Sequence, residues 1–239
     1  MLLALLTPLI ACAQADYARE KRWSDEIVPA ILVGEPVTLE LGSGRRFLGI
    51  YAAARKDVPG VVVVHGAGLH PDWGLNGILR SRLADEGYAT LGVQMPVLGA
   101  DARGEQYTPL LPEAAERLAV AVDFLRRRGH AKVAIVAHSV GARMTQHFLD
   151  NMAGRPVDAW VAIGITTMYS TRSAGPPTLD LYGGDDFPAV RDNAVERAER
   201  LRRVRGSAQI EVPGADHFFT GHESTLVRHV KLFLDQKLR

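Results

Sequence analysis

Short β-branched runs alternate along this chain with longer stretches whose apolar residues recur three or four positions apart. Val37–Leu41 and Arg46–Ala53 flank Gly42-Ser43-Gly44, which predicts a β-hairpin with a glycine turn. Gly60–Val64 has the composition of a strand buried on both faces of a parallel sheet. Ile78–Glu86 is predicted as a helix stopped by Gly87, and Tyr88–Val93 as a strand closed by Pro96. Val97–Leu111 is loop-like. Pro112 then opens a helix with Leu118, Val122 and Leu125 on one face, ended by Gly129. Val133–Val136 is a strand, followed by a helix with Val140, Met144 and Phe148 at four-residue spacing and a stop at Gly154. Val157–Ile165 and Thr178–Tyr182 are further strands. Ala194, Ala198 and Leu201 mark a helix ending at Gly206, Ala208–Val212 is a last strand, and Leu226–Leu238 is a terminal helix.

This alternation predicts an α/β domain over residues 37–239, preceded by an irregular segment over 16–36. Its sheet has about eight strands and is mostly parallel, with an antiparallel hairpin at the start and helices on both faces. Reactive groups in such sheets collect where strands end at their C-terminal edge. His65, Ser139, Asp185 with Asp186, and His217 all fall there.

Ala137-His138-Ser139-Val140-Gly141 joins an apolar strand to a helix through a sharp turn with serine at its apex. A serine in such an elbow stands exposed above the sheet, and small residues on either side relieve the crowding. Gly141 fits the usual glycine pattern, whereas Ala137 replaces the first glycine. A serine hydroxyl needs a neighbouring base to become a nucleophile. The N–H of Val140 at the helix start is the natural first donor to a developing oxyanion.

Leu179–Tyr182 runs into Gly183-Gly184-Asp185-Asp186, where either carboxylate is placed to orient a histidine. His217 follows the last strand and precedes the terminal helix, so the order is Ser, then Asp, then His. His65-Gly66-Ala67-Gly68 ends the Val61–Val64 strand, and the N–H of Ala67 is the candidate second oxyanion donor. His65 is expected to brace that loop. His138 is expected to be scaffold, because neighbours on a tight turn point apart.

The chain has 239 residues, a formal net charge of +1 and 47% hydrophobic residues, which suits one domain and gives no electrostatic case for nucleic acid. Arg197, Arg200, Arg202, Arg203 and Arg205 alternate with Glu196 and Glu199 and read as a solvated helix face. Leu2–Ile10 is a short apolar run followed by Ala13-Gln14-Ala15, so residues 1–15 read as an export signal. Leu9-Ile10-Ala11-Cys12 resembles a bacterial lipobox, which would make Cys12 a lipidated membrane tether in a periplasmic or envelope-anchored protein. With Cys12 the only cysteine, no internal disulfide can form. The eight histidines show no His-x-x-x-His pair, and no phosphate loop or dinucleotide fingerprint occurs. Neither metal nor organic cofactor is expected.

HGAG (65–68), AHSVG (137–141), GGDD (183–186) and ADH (215–217) together resemble the α/β-hydrolase superfamily over residues 37–239. HGAGLHPDW (65–73), TLGVQMP (90–96) and LYGGDDFPAV (181–190) are similar to an uncharacterised bacterial family of exported hydrolase-like proteins. The resemblance implies an α/β-hydrolase fold and a Ser139–His217–Asp186 triad. The acid in such folds often stands three residues after the strand-ending glycine, here Gly183, which leaves Asp185 in reserve. It also implies cleavage of an ester, thioester or amide in a small acyl substrate through an acyl-enzyme. Thr166–Pro177 leaves little room for a cap, so an open site is expected, rimmed by Val97–Leu111 and Thr166–Pro177 and lined by Tyr107, Met168 and Tyr169. The alternative is a catalytically silent hydrolase fold that serves as a binding or envelope-assembly module.

Overall fold

Alternate residues of the central strands serve opposite faces of one sheet, and this alternation generates two cores. The computed structural model describes residues 14–151, 157–170 and 175–239. The expected leader run Leu2–Ile10, Cys12, Ala13 and the helix stop at Gly154 lie outside them. In chain order the elements are α1 (Tyr17–Ile27), a 3-10 turn (Val28–Ala30), β1 (Glu35–Glu40), β2 (Arg46–Ala52), β3 (Gly60–Val64), α2 (Gly74–Asp85) and β4 (Ala89–Val93). A 3-10 segment (Gly104–Leu110), α3 (Leu111–Arg127), β5 (Val133–His138), α4 (Val140–Asn151), β6 (Ala159–Ile163) and β7 (Thr178–Gly183) follow. The chain ends with α5 (Pro188–Arg191), α6 (Ala194–Leu201), β8 (Ala208–Val212) and α7 (Glu223–Leu238).

The eight-stranded sheet has the order β1-β2-β4-β3-β5-β6-β7-β8. β1 with β2 and β2 with β4 are antiparallel, while every pairing from β4 through β8 is parallel. Val62, Val64, Ile135 and Ala137 face the core shared with α3 and α4, where Leu118, Val122, Met144 and Phe148 are buried. Val61, Val63, Ala134 and Val136 face the core shared with α2 and α7, which buries Leu79, Leu83, Leu226, Val230 and Leu234. Each of these leucines and valines stabilises the fold by about 1.5–3 kcal/mol relative to an exposed position. With both faces covered, chemistry is left to the loops at the C-terminal edge.

Residues 16–36 are not irregular throughout: α1 and the 3-10 turn occupy much of this stretch. The Asp16 carboxylate caps α1 by accepting the Arg19 N–H at 2.9 Å. Glu20 is the one buried residue of the helix. It binds the Arg117 guanidinium at 2.9 Å within the sheet–α3 core. Burial raises the Glu20 pKa and the facing Arg117 opposes that shift. Polar residues dominate α1 and its anchor is an ion pair, so no apolar periodicity announces it. Among the described residues no helix is long and apolar enough to cross a membrane.

Candidate active site

β5 delivers Ser139 to the sheet edge in a left-handed conformation, φ +56°. Such a φ is costly for a non-glycine residue and is kept only where the surroundings enforce it. Here the Ser139 N–H donates to Ile163 O at 2.8 Å, and Ser139 O accepts the Ala142 N–H at 2.9 Å. A Cβ on Gly141 would lie 2.4 Å from His65 O, so the elbow closes against β3 only with glycine at that position. Ala137 is fully buried within β5, where its methyl group joins the α3–α4 core.

His217 reaches Ser139 from the loop after β8. Its Nε2 lies 3.0 Å from Ser139 Oγ and its Nδ1 lies 2.6 Å from Asp186 Oδ1. A carboxylate only accepts, so Nδ1 carries the proton and Nε2 is left to accept from the serine hydroxyl. Asp186 Oδ1 also accepts the Phe187 N–H at 2.7 Å, while Oδ2 is buried with no partner among the described residues. Asp216 fixes the histidine loop by accepting the N–H groups of Phe218 and Thr220, both at 2.9 Å. These backbone donors, Thr220 foremost, lower its pKa.

Gly164, which sequence reasoning passed over, and Gly183, named there only as the end of its strand, clear the space for this arrangement. A Cβ on Gly164, at the end of β6 with φ +58°, would stand 2.9 Å from His217 Cε1 and 3.2 Å from Asp186 Oδ2. A Cβ on Gly183 would stand 2.1 Å from Ala215 O. A glycine at the end of each buried strand was the available signal.

Asp185, the reserve acid, is exposed. Its N–H donates to Ala215 O at 2.9 Å, which closes the turn, and among the described residues its side chain has no hydrogen bond to His217. The N–H groups of Ala67 and Val140 donate to no acceptor among the described residues, and both residues line the cleft above Ser139. His65 braces their loop: its Nε2 accepts the Met95 N–H at 2.9 Å, which leaves Nδ1–H to donate to Gly66 O at 2.8 Å. Burial lowers its pKa to about 3. His138 is scaffold too, with burial the main cause of a pKa lowered to about 4.

The expected lining differs. Tyr107 is buried, and its hydroxyl accepts the N–H groups of Gly68 at 2.9 Å and Leu98 at 3.2 Å, so it pins the loop over 65–68 from behind. Tyr169 packs edge-on against Trp160 at 5.4 Å inside the core. Met168 lies off the cleft, its carbonyl accepting from Gln146 Nε2 at 2.7 Å. Tyr107 and Tyr169 are buried, and Met168 is half-buried and held through its carbonyl by Gln146. The cleft, about 780 Å³, is lined instead by Arg103, Thr108 and Arg143 and by Phe187 and Phe218. Thr166 and Thr167 join them from the expected second rim segment. No cluster of three or more metal-ligating side chains occurs among the described residues.

No protein-family model and no curated protein matches the chain. Solved structures do. A dienelactone hydrolase from Anabaena variabilis is 21% identical, with a TM-score of 0.66 over 85% of this chain and 97% of that one. An esterase from Pyrococcus furiosus is 14% identical, with a TM-score of 0.68 over 86% and 93%. A Xanthomonas campestris protein described as an α/β serine hydrolase without a lid is 14% identical, with a TM-score of 0.64 over 87% and 96%. The chain therefore has the α/β-hydrolase fold. Among the described residues no cap domain interrupts the path from β6 to β7.

Proposed function

We propose that this chain is a serine hydrolase that cleaves carboxylic esters through an acyl-enzyme. One observation carries the reading: the unbroken hydrogen-bond chain from Asp186 through His217 to Ser139, at 2.6 and 3.0 Å. Structural neighbours named as hydrolases and an esterase support it.

His217 Nε2 takes the hydroxyl proton as Ser139 Oγ attacks the ester carbonyl. Asp186 keeps the imidazole in the required tautomer and stabilises its protonated form without itself taking the proton. The carbonyl oxygen becomes an oxyanion held by the N–H groups of Ala67 and Val140. Each such donor contributes roughly a hundred- to a thousand-fold in rate. Nε2–H then protonates the leaving alkoxide, and the alcohol departs. Water attacks the Ser139 ester with its proton drawn to the same nitrogen, and the acid is released.

An open cleft suits short, accessible acyl groups. Hydrolysis of a panel of short-chain aryl esters by the parent protein and Ser139→Ala tests the reading. The variant is expected to lose at least about a thousand-fold in kcat. Equal rates from both proteins would falsify it.

A further inference from the structure

We infer that the acyl half of this cleft recognises a carboxylate, so that the substrates are monoesters of short dicarboxylic acids with an apolar alcohol. The inference rests on the ester-hydrolase reading above and names the substrate class for that site.

The direction of proton delivery divides the cleft. Nε2 of His217 must protonate the departing oxygen, so the alcohol portion leaves on the histidine side. That side is aromatic: Phe187 stacks on His217 with ring centres 4.3 Å apart, and Phe218 lies 5.3 Å away, edge to face. Trp73 extends the surface, 5.5 Å from Phe218. Phe187 is 52% exposed and Phe218 and Trp73 are each 38% exposed, an apolar wall awaiting an apolar group. With the oxyanion held by the loop amides and the leaving group beside His217, the acyl substituent points away from the histidine.

Arg143 and Arg103 line the remainder of the cleft. Arg143 lies three residues after Val140, which places the two on one face of the first turn of α4, and Ser139 immediately precedes that helix. A helical side chain leans over the turn N-terminal to its own Cα, here toward the nucleophile. Its guanidinium donates from Nη1 to Gly104 O at 2.8 Å and from Nη2 to Thr108 Oγ1 at 3.3 Å. A guanidinium has five N–H groups, so three remain. No carboxylate is paired with Arg143 or Arg103 among the described residues.

The chain treats its enclosed arginines differently. Arg80, Arg117 and Arg197 are all buried, and each is paired with a carboxylate of the chain itself. Arg143 is partly buried beside a nucleophile and has only neutral acceptors. Glu105 lines the same cleft without pairing to either arginine, so this part of the cleft keeps an excess of positive charge. A planar carboxylate matches a guanidinium through two parallel hydrogen bonds. Val140 and Arg143, one helical turn apart, are about 5–6 Å apart at their roots, so two or three methylenes lead from an ester carbonyl held at the Val140 N–H to a carboxylate at Arg143.

The test compares phenyl hydrogen succinate and phenyl hydrogen glutarate with phenyl butyrate and phenyl valerate, using the full chain at low salt. The hemiesters are expected to exceed the neutral esters by about ten-fold or more in kcat/KM, mainly through KM, and the preference should shrink as sodium chloride is added. Arg103→Gln, a residue with no side-chain partner to lose, should bring the ratio toward one, and Arg103→Glu should invert it. Arg143→Lys should keep more of the preference than Arg143→Gln. Equal or faster turnover of the neutral esters by a protein that a fluorophosphonate labels at Ser139 overturns the carboxylate site and leaves the hydrolase reading standing. A preference that survives both Arg103 changes also overturns it. No turnover of any ester together with no labelling overturns both.

Discussion

His138 Nε2 donates to the backbone carbonyl of His217 at 2.9 Å, and the two rings lie 4.7 Å apart. The residue beside Ser139 thus holds the main chain of His217. One bond ties the β5 elbow to the loop after β8, across 79 positions of sequence. His138→Phe keeps a ring in the same space but removes the donor. A base misplaced by about 1 Å costs on the order of a hundred-fold. The variant should show kcat reduced by about that factor with KM little changed, measured on a short aryl ester. Parent-like kcat would show that the brace is dispensable.

The two adjacent carboxylates separate cleanly. Asp186 is buried and bonded to His217, whereas Asp185 is exposed and bonded only through its backbone N–H. Asp186→Asn preserves shape but favours the wrong tautomer, and kcat should fall by roughly ten-thousand-fold. Asp185→Asn should stay within about two-fold, as surface changes usually do. Steady-state kinetics of the pair decide the assignment, and a large loss in Asp185→Asn would reverse it.

Gly164→Ala probes the space behind the base. The added methyl would sit 2.9 Å from His217 Cε1 at a backbone φ of +58°. The conformational penalty alone is about 1 kcal/mol, and relief of the clash moves the imidazole. Thermal melting should show a modest drop, while kcat falls far more than that loss of stability explains. An active variant would mean that the ring has room to shift.

Stability should fall on mild acidification. The folded chain holds His65 and His138 neutral, with pKa values lowered to about 3 and about 4, chiefly by burial. Unfolded histidines titrate near ~6.5, so below that pH the unfolded chain binds protons that the folded chain refuses. The stabilisation is complete above about pH 6.5 and declines as pH drops toward the folded values, by up to ~1.4 kcal/mol per pH unit for each ring. Melting temperatures taken between about pH 5 and about pH 7 should rise with pH, and His138→Phe should flatten the slope by about one proton. A pH-independent melting temperature in that window contradicts the assignment.

The strands that feed the reactive edge were legible as short runs bounded by turns: Ser139 directly follows β5, Asp186 stands three residues after the end of β7 and His217 five after the end of β8. Ser139, Asp186 and His217 announce themselves through small or glycine neighbours at those run ends. α1 was not legible, since Glu20 anchors it through Arg117, a contact across 97 positions that leaves no local apolar pattern. Tyr107 and Tyr169 misled because an aromatic ring in a loop looks like rim material until its packing is known. Phe187 and Phe218 failed in the opposite sense: only the approach of α5 and the histidine loop makes them a wall. Arg143 was hidden by its place on an ordinary amphipathic helix.

Labelling with a fluorophosphonate, followed by intact mass and peptide mapping, tests the central claim most directly. Attack of an activated hydroxyl on phosphorus expels fluoride and leaves a stable phosphonyl serine, independent of any guess about the natural substrate. One equivalent should attach at Ser139 of the folded protein, and His217→Ala should label far more slowly. A well-folded protein that takes up no reagent, or takes it up at another residue, contradicts the account.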